Sequence, residues 1–322
     1  HTEPDHSGCV ASLLEIAPHA TVVSSGNGIR YLKDLVGRDF PQLVVKDGQV
    51  LDLGNKKLRF ISAPNLHWPD SMFTYLEEEK ILFTCDGFGE HYCNEAMFDD
   101  VTGDFSDSFR YYFDVIMKPF SRFVLNAIEK IGPLDISMIA PGHGTILRSD
   151  WRKWVQLTEQ YAREAIAAQK SGRVFVAYVS AYQNTKLIAE KIAEGLRQAG
   201  EIEVDLCDIE KMPLGEIEEK LIASSAIILG SPTFNQNILL PVYRVLALIN
   251  PIRDRGKLAA AFGSYGWSGE GAKIISSGMA NLKLDLFDEG LMIKFTPHKE
   301  TTEKCIAYGK AFGKRLLGQH PN

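Results

Sequence analysis

The sequence predicts an α/β chain of two domains. Residues 1–171 form a strand-and-loop domain, and residues 172–322 a doubly wound, five-stranded parallel sheet. Three observations carry this. His1-Thr2-Glu3-Pro4-Asp5-His6 gathers two histidines and two further carboxylates at the start, and His67, Asp86 and His143 then follow at the ends of strand-like runs. Past residue 172, continuous apolar runs alternate with amphipathic stretches, the mark of strands separated by crossover helices. A length of 322 residues, with 45% hydrophobic and 24% charged side chains, is enough for two cores.

In the first domain, residues 12–16 read as the tail of a short helix, 20–24 as a strand and 26–36 as a helix. Val44 to Val50 reads as strand, Asp47-Gly48 turn, strand. Residues 58–63 alternate and deliver His67. Residues 73–75 and 81–84, joined by the acidic run Glu77-Glu78-Glu79, form a hairpin that sets Asp86 just beyond it. Residues 96–130 are aromatic-rich and mostly helical, and 137–140 are a last strand before Pro141-Gly142-His143-Gly144-Thr145.

Imidazole and carboxylate oxygen together suit divalent transition metals, and alternate residues His1, Glu3 and Asp5 are able to point one way. The order His-x-Glu-x-Asp-His, His, Asp, His resembles the metallo-β-lactamase superfamily. More narrowly it resembles the di-iron domain of flavodiiron proteins, as do His67-Trp68-Pro69-Asp70-Ser71-Met72 and Asp86-Gly87-Phe88-Gly89. Zinc hydrolases of the superfamily usually carry His-x-His-x-Asp-His. The hard carboxylate of Glu3 in place of the second imidazole shifts preference toward iron. The resemblance implies an αββα sandwich in which His1, Glu3 and His67 hold one iron and Asp5, His6 and His143 the other. Asp86 would bridge them; the position of His6 need not ligate. His91, close after Asp86, is a candidate hydrogen-bond partner behind the ligands. His19, His298 and His320 match nothing.

Residues 150–172 read as a helix ending in a Ser171-Gly172 linker that leads into the second domain. Strands are expected at 174–179, 203–206, 226–230, 258–262 and 286–293. Helices are expected at 184–199, 239–249, 269–279 and 301–317. Ligands of such sheets sit beyond the C-terminal strand ends, at the switch in strand order. Three loops fall there: Ser180, Tyr182, Gln183, Asn184 and Thr185; Ser231, Pro232, Thr233, Phe234 and Asn235; and Ser264, Tyr265, Gly266, Trp267 and Gly269. Hydroxyls at a helix N-terminus offer donors to a phosphate monoester, and the two later loops could flank a flat ring. They resemble the phosphate and ring loops of flavodoxins, which implies FMN; there is no G-x-G-x-x-G for a dinucleotide. Gln183 stands where flavodoxins usually have Gly. If that position needs positive φ, it costs on the order of 1 kcal/mol.

Taken together, the resemblance implies a flavodiiron oxidoreductase with FMN and two iron ions. It would reduce O2 to water, NO to N2O, or both, as a head-to-tail homodimer. A separate donor, a rubredoxin-like protein or a reduced flavin-type carrier, would supply electrons. Two rivals are a zinc-dependent hydrolase of the superfamily, and an FMN electron-transfer protein with an inactive first domain. Residues 1–171 carry 17 basic and 24 acidic side chains, a net of −7, which argues against nucleic acid as partner. Five cysteines without a CxxC pair suit a reducing, cytoplasmic setting, with Cys85 and Cys93 packing near Asp86. No apolar run reaches the ~18 residues a membrane span needs. The first residue is already a candidate ligand, whereas such a loop normally follows a first set of strands. An N-terminally truncated, partial first domain is therefore expected.

Overall fold

The computed structural model describes residues 1–169 and 172–318. They divide into two compact units, His1–Ile166 and Ala167–Asn322. In the first, residues 4–7 coil into a single helical turn, α1 (Pro4–Ser7), with Pro4 at the position where a missing N–H costs nothing. Helix α2 (Val10–Ile16) and strand β1 (Val22–Ser24) follow. Helix α3 (Gly26–Val36) starts where the Ser25 hydroxyl accepts the Gly28 N–H, and ends at Gly37 with φ of 71°.

Strands β2 (Gln42–Val44) and β3 (Val50–Asp52) flank Asp47-Gly48, but they do not form the expected hairpin. β2 pairs in parallel with β1, whereas β3 pairs with β4 (Lys57–Ser62). The Asp47 carboxylate accepts the Ser62 N–H and the Lys130 ammonium, and Gly48 donates to Phe60 O. The turn residues thus tie the chain to β4 instead of folding it back on itself.

The sheet continues through β5 (Met72–Leu76), β6 (Ile81–Cys85) and β7 (Met138–Pro141), in the order β3-β4-β5-β6-β7. β4, β5 and β6 are antiparallel neighbours; β6 and β7 are parallel. Helicity in the aromatic stretch begins only at α4 (Ser106–Tyr112). It passes through a π-helical segment, Phe113–Met117, and a 3-10 turn, Lys118–Phe120, into α5 (Ser121–Ile131). With α6 (Trp151–Gln169) these bury one core, in which Phe73, Leu82 and Ile139 meet Phe109, Val124 and Trp154.

The second unit is the doubly wound sheet. Its elements are β8 (Arg173–Tyr178), α7 (Asn184–Ala199), β9 (Glu203–Asp208), α8 (Leu214–Ala223) and β10 (Ala226–Gly230). Then come α9 (Leu240–Leu248), β11 (Leu258–Tyr265), α10 (Gly271–Asn281), β12 (Asp285–Leu286), β13 (Leu291–Lys294) and α11 (Lys299–Leu316). The order is β12-β11-β10-β8-β9, all parallel, with β13 also on β11. Side chains alternate between two cores. Phe175, Ile227 and Ala259 pack with α8, α9 and α10, while Val174, Ile228 and Ala260 pack with α7 and α11. Both faces are covered, which is why these strands read as unbroken apolar runs.

Two expectations change here. The fifth strand is split by Asp288-Glu289-Gly290, where Gly290 takes φ of 109°. Helix α8 was not anticipated, although Leu214, Ile217 and Leu221 have helical spacing. The Ser171 side of the expected linker lies outside the described residues. Among the described residues no helix is long and apolar enough to cross a membrane.

Candidate metal centre and flavin cleft

The first unit places its ligand candidates around one carboxylate. Asp86, 2% exposed, follows the last residue of β6. Its Oδ2 lies 2.6 Å from His67 Nε2 and 3.5 Å from His1 Nε2; its Oδ1 lies 3.0 Å from His6 Nε2 and 3.3 Å from His143 Nε2. Glu3 joins the Oδ2 side, 3.2 Å from His1 and 3.0 Å from His67. Asp5 joins the Oδ1 side, 3.2 Å from His143 and 3.7 Å from His6.

Two sets result, each one carboxylate with two imidazoles, and Asp86 presents one oxygen to each. His1, Glu3, His67 and Asp86 have donor atoms within 4.8 Å of one another, as do Asp5, His6 and His143. The helical turn α1 makes this split. It rotates Asp5 and His6 away from His1 and Glu3, so the loop is not the plain alternation its spacing suggested. His6 stands as close to Asp86 as the other candidates do.

Small residues let these groups meet. A Cβ on Gly142 would sit 2.7 Å from His6 Cε1, so only glycine leaves room for that imidazole beside the His143 loop. Electrostatics fit a cation. Burial raises the Asp86 carboxyl, but the His67 hydrogen bond and the charges of His6, His67 and His143 outweigh it, and the net shift is downward. Burial lowers the His67 imidazole, yet the hydrogen bond and charge of Asp86, with Glu3 and Asp5, leave it raised.

The His1 ring shows why protons alone do not complete the site. Its Nδ1 faces Cys85 Sγ at 3.2 Å and Ser71 Oγ at 3.4 Å, and the Ser71 hydroxyl donates to Leu66 O. In the tautomer whose Nδ1–H donates to these atoms, the Nε2 lone pair of the neutral ring points at the oxygens of Glu3 and Asp86. A cation among them turns that repulsion into coordination. The donor set fits metal, and its mixture of carboxylate oxygen with imidazole fits iron.

Two aromatic residues near this site were not anticipated. Tyr112 is 3% exposed, and burial, with the charge of Asp86 and a hydrogen bond to it, raises its hydroxyl. The Phe120 ring stands edge-on to His67, 6.1 Å between centroids. Both flank the π-helical segment, a kind of irregularity frequent at functional sites. His91 contacts the His143 ring edge-on at 5.5 Å and Tyr112 at 4.8 Å, which is ring contact and not the expected hydrogen bond. Glu90 is fully buried behind the His143 loop, where burial pushes its carboxyl up to about 7 while Oε1 accepts the Thr145 N–H.

In the second unit, the three loops at the C-terminal strand ends line a cleft of ≈ 260 Å³ with Tyr182, Asn184, Pro232, Thr233, Phe234, Asn235, Ser264, Tyr265, Gly266 and Trp267. Phe295, at φ of 56° just after β13, also lines it and was missed; nothing in its sequence neighbourhood marks it. Tyr182 and Phe234 stack at 6.2 Å. Ser180, Thr185, Ser231 and Gly269 build the loops without lining the cleft. Ser180 Oγ accepts the Lys186 N–H, Thr185 and Ser264 hydroxyls share a bond of 2.9 Å, and the Ser231 hydroxyl faces Pro232 O and the Leu239 N–H. Gly269 packs beneath the Tyr265 ring. Gln183 takes φ of 65°, the left-handed conformation a glycine adopts freely. Aromatic walls around a narrow cleft at a helix N-terminus fit a flat ring bearing a phosphate tail.

Comparison with known proteins agrees with both halves. A family model described as ODP family beta lactamase matches residues 1–144, and one described as flavodoxin matches residues 176–309. The chain is 40% identical over 321 residues to the type A flavoprotein fprA of Rhodobacter capsulatus, covering 98% of this chain and 73% of that one. It is 36% identical over 324 residues to the flavo-diiron protein FprA2 of Clostridium acetobutylicum (98% and 80%), and 33% identical over 322 residues to the nitric oxide reductase of Moorella thermoacetica (98% and 79%). Among solved structures, rubredoxin oxygen:oxidoreductase from Desulfovibrio gigas is similar with a TM-score of 0.68 and 28% identity, covering 99% and 80%.

Proposed function

The chain belongs to the flavodiiron proteins, and on that premise we propose that it reduces O2 to water, NO to N2O, or both, with electrons passed through FMN to a di-iron centre. The observation that carries this is Asp86, which divides its two oxygens between two separate carboxylate–imidazole sets. We assign His1, Glu3 and His67 to one iron, Asp5, His6 and His143 to the other, and Asp86 to both. Glu3 supplies oxygen where a zinc hydrolase would offer nitrogen, which supports iron over zinc. When bound, the two cofactors supply stepwise electron storage and a redox-active binding place for a small oxidant.

The protein's own contribution is placement. Asp86 is held at the end of β6 by the sheet, and the His143 loop by the bond from Gly142 N–H to Cys85 O. Tyr112 keeps its hydroxyl, and hence a proton, beside Asp86, and the Phe120 ring packs edge-on against His67. In the flavin cleft, Tyr182, Phe234, Tyr265 and Trp267 would hold the flavin ring, and the amides that open α7, shaped by Gln183 and Asn184, would supply donors to its phosphate.

Reduction of one O2 to water takes four electrons and four protons, and coupling of two NO takes two of each, so an external donor is required. A rubredoxin-like protein or a reduced flavin carrier fits that need, in keeping with the name of the Desulfovibrio gigas protein. We further propose a head-to-tail homodimer in the cytoplasm; the free state of all five cysteines accords with a reducing compartment. Mixing of the anaerobically reduced, iron-loaded chain with O2 or NO tests the function. Reoxidation of the flavin that requires iron supports it; reoxidation at the same rate after iron removal refutes it.

A further inference from the structure

We propose, resting on the di-iron reading above, that Cys85 is a positioning residue that sets the orientation of His1 and joins three ligand-bearing segments at one point. A metal-bound imidazole needs an acceptor for its far N–H, which fixes the tautomer and the ring plane. Of the four imidazoles around Asp86, His1 alone has such a partner among the described side chains. Its Nδ1 faces Cys85 Sγ at 3.2 Å and Ser71 Oγ at 3.4 Å. The sulfur sits behind the ring, since Nε2 is the atom turned to Glu3 and Asp86. That places it as an acceptor for His1 Nδ1, at a point where its sulfur and the ligand atoms of His1, His6 and Asp86 lie within 4.8 Å of one another.

The backbone of Cys85 supports the same role. It adopts φ of 51°, rare for a side chain with a Cβ, at the point where β6 and β7 slip register between Phe83 and Cys85. An outlier of this kind persists only where its surroundings over-determine it, and such outliers cluster at functional sites. The consequences are threefold. The carbonyl turns to accept Gly142 N–H at 2.5 Å, which ties down the His143 loop. The next residue, Asp86, is directed between the two ligand sets. The side chain is aimed at His1, whose own side chain is fully buried. Glycine would adopt this φ without strain, but it would lack the sulfur.

The test compares Cys85→Ala, Cys85→Ser and Cys85→Gly in the full chain, loaded with 57Fe, by iron retention against a chelator and by Mössbauer spectroscopy. Alanine and glycine should each lose one of the two irons about tenfold to a hundredfold more readily. One quadrupole doublet should shift while the other stays in place. Serine, which retains an acceptor, should restore part of the retention. Glycine matters because it keeps the turn: a loss shared by alanine and glycine assigns the effect to the sulfur. Glycine with wild-type retention and spectrum overturns the inference, and so does an equal weakening of both irons that serine does not relieve. A wild-type chain that takes up no metal overturns the di-iron reading and this inference with it. Metal uptake by wild type and variants alike overturns this inference alone.

Discussion

Gly142→Ala is a minimal perturbation of the metal centre, one methyl group beside His6. The added Cβ would lie 2.7 Å from His6 Cε1, 3.2 Å from its Nδ1 and 3.3 Å from Cys85 O, where ordinary contact begins at 3.4 Å. The ring has to retreat by about 0.7 Å, against a tolerance of roughly ±0.2 Å for a metal–ligand bond. Retreat is not free, because the His6 ring is held edge-on by His1 at 4.7 Å and His143 at 4.8 Å. The substitution should cost about 1–3 kcal/mol of overpacking. It should weaken the metal on the Asp5, His6 and His143 side about tenfold or more. The assay is iron per chain after dialysis against graded chelator, with flavin absorbance as an internal standard and a thermal melt to register the packing cost. Iron lost at lower chelator with flavin retained is the expected result. An alanine variant that keeps both irons at wild-type affinity would refute the placement of His6 as a ligand.

Three further predictions follow from the same geometry. Asp86→Ala, which removes the carboxylate shared by both ligand sets, should abolish binding of both irons while FMN content stays unchanged; elemental analysis and absorbance read the two separately. Trp267→Ala, a substitution in the cleft at a side chain 75% exposed, should weaken FMN binding about tenfold by fluorescence titration, since stacked aromatic contact contributes on the order of 1 kcal/mol beyond buried area. Asp254 is fully buried between Arg253 and Lys257, and Asp254→Ala should destabilise the second unit by about 3–5 kcal/mol by removing the carboxylate that the buried lysine faces beside the Leu221 carbonyl. Burial raises the Asp254 carboxyl, but Arg253 and Lys257 more than reverse this, so its folded value lies below the ordinary one. Its stabilisation is therefore present above about pH 4 and fades as acid protonates it, so wild-type and Asp254→Ala melts should converge below that pH.

The candidate metal centre was legible because His67, Asp86 and His143 each fall in a short polar break after an apolar run, in order after the polar stretch His1–His6, and Glu3 already spoke for iron. What the spacing could not carry was the division into two sets. That depends on the turn at Pro4–Ser7, and a four-residue helix leaves no periodic trace. The acceptors behind His1 were hidden for a different reason. Ser71 and Cys85 lie 70 and 84 positions along the chain, and strand pairing alone brings them to the ring. Around Asp47-Gly48 the local turn chemistry was read correctly, but the partner strand was not. Strand pairing is a non-local choice, and here β1 and β4 win β2 and β3. The flavin loops were readable as strand-end loops of a parallel sheet. Phe295 was not, since its place in the cleft comes from β13 pairing with β11.

Iron and zinc content of the purified chain, measured in one elemental analysis, tests the central claim most directly. The account predicts about two irons per chain, with zinc well below stoichiometry. Two zincs and no iron would contradict it, because Glu3 would then not have selected the metal and the site would be that of a hydrolase.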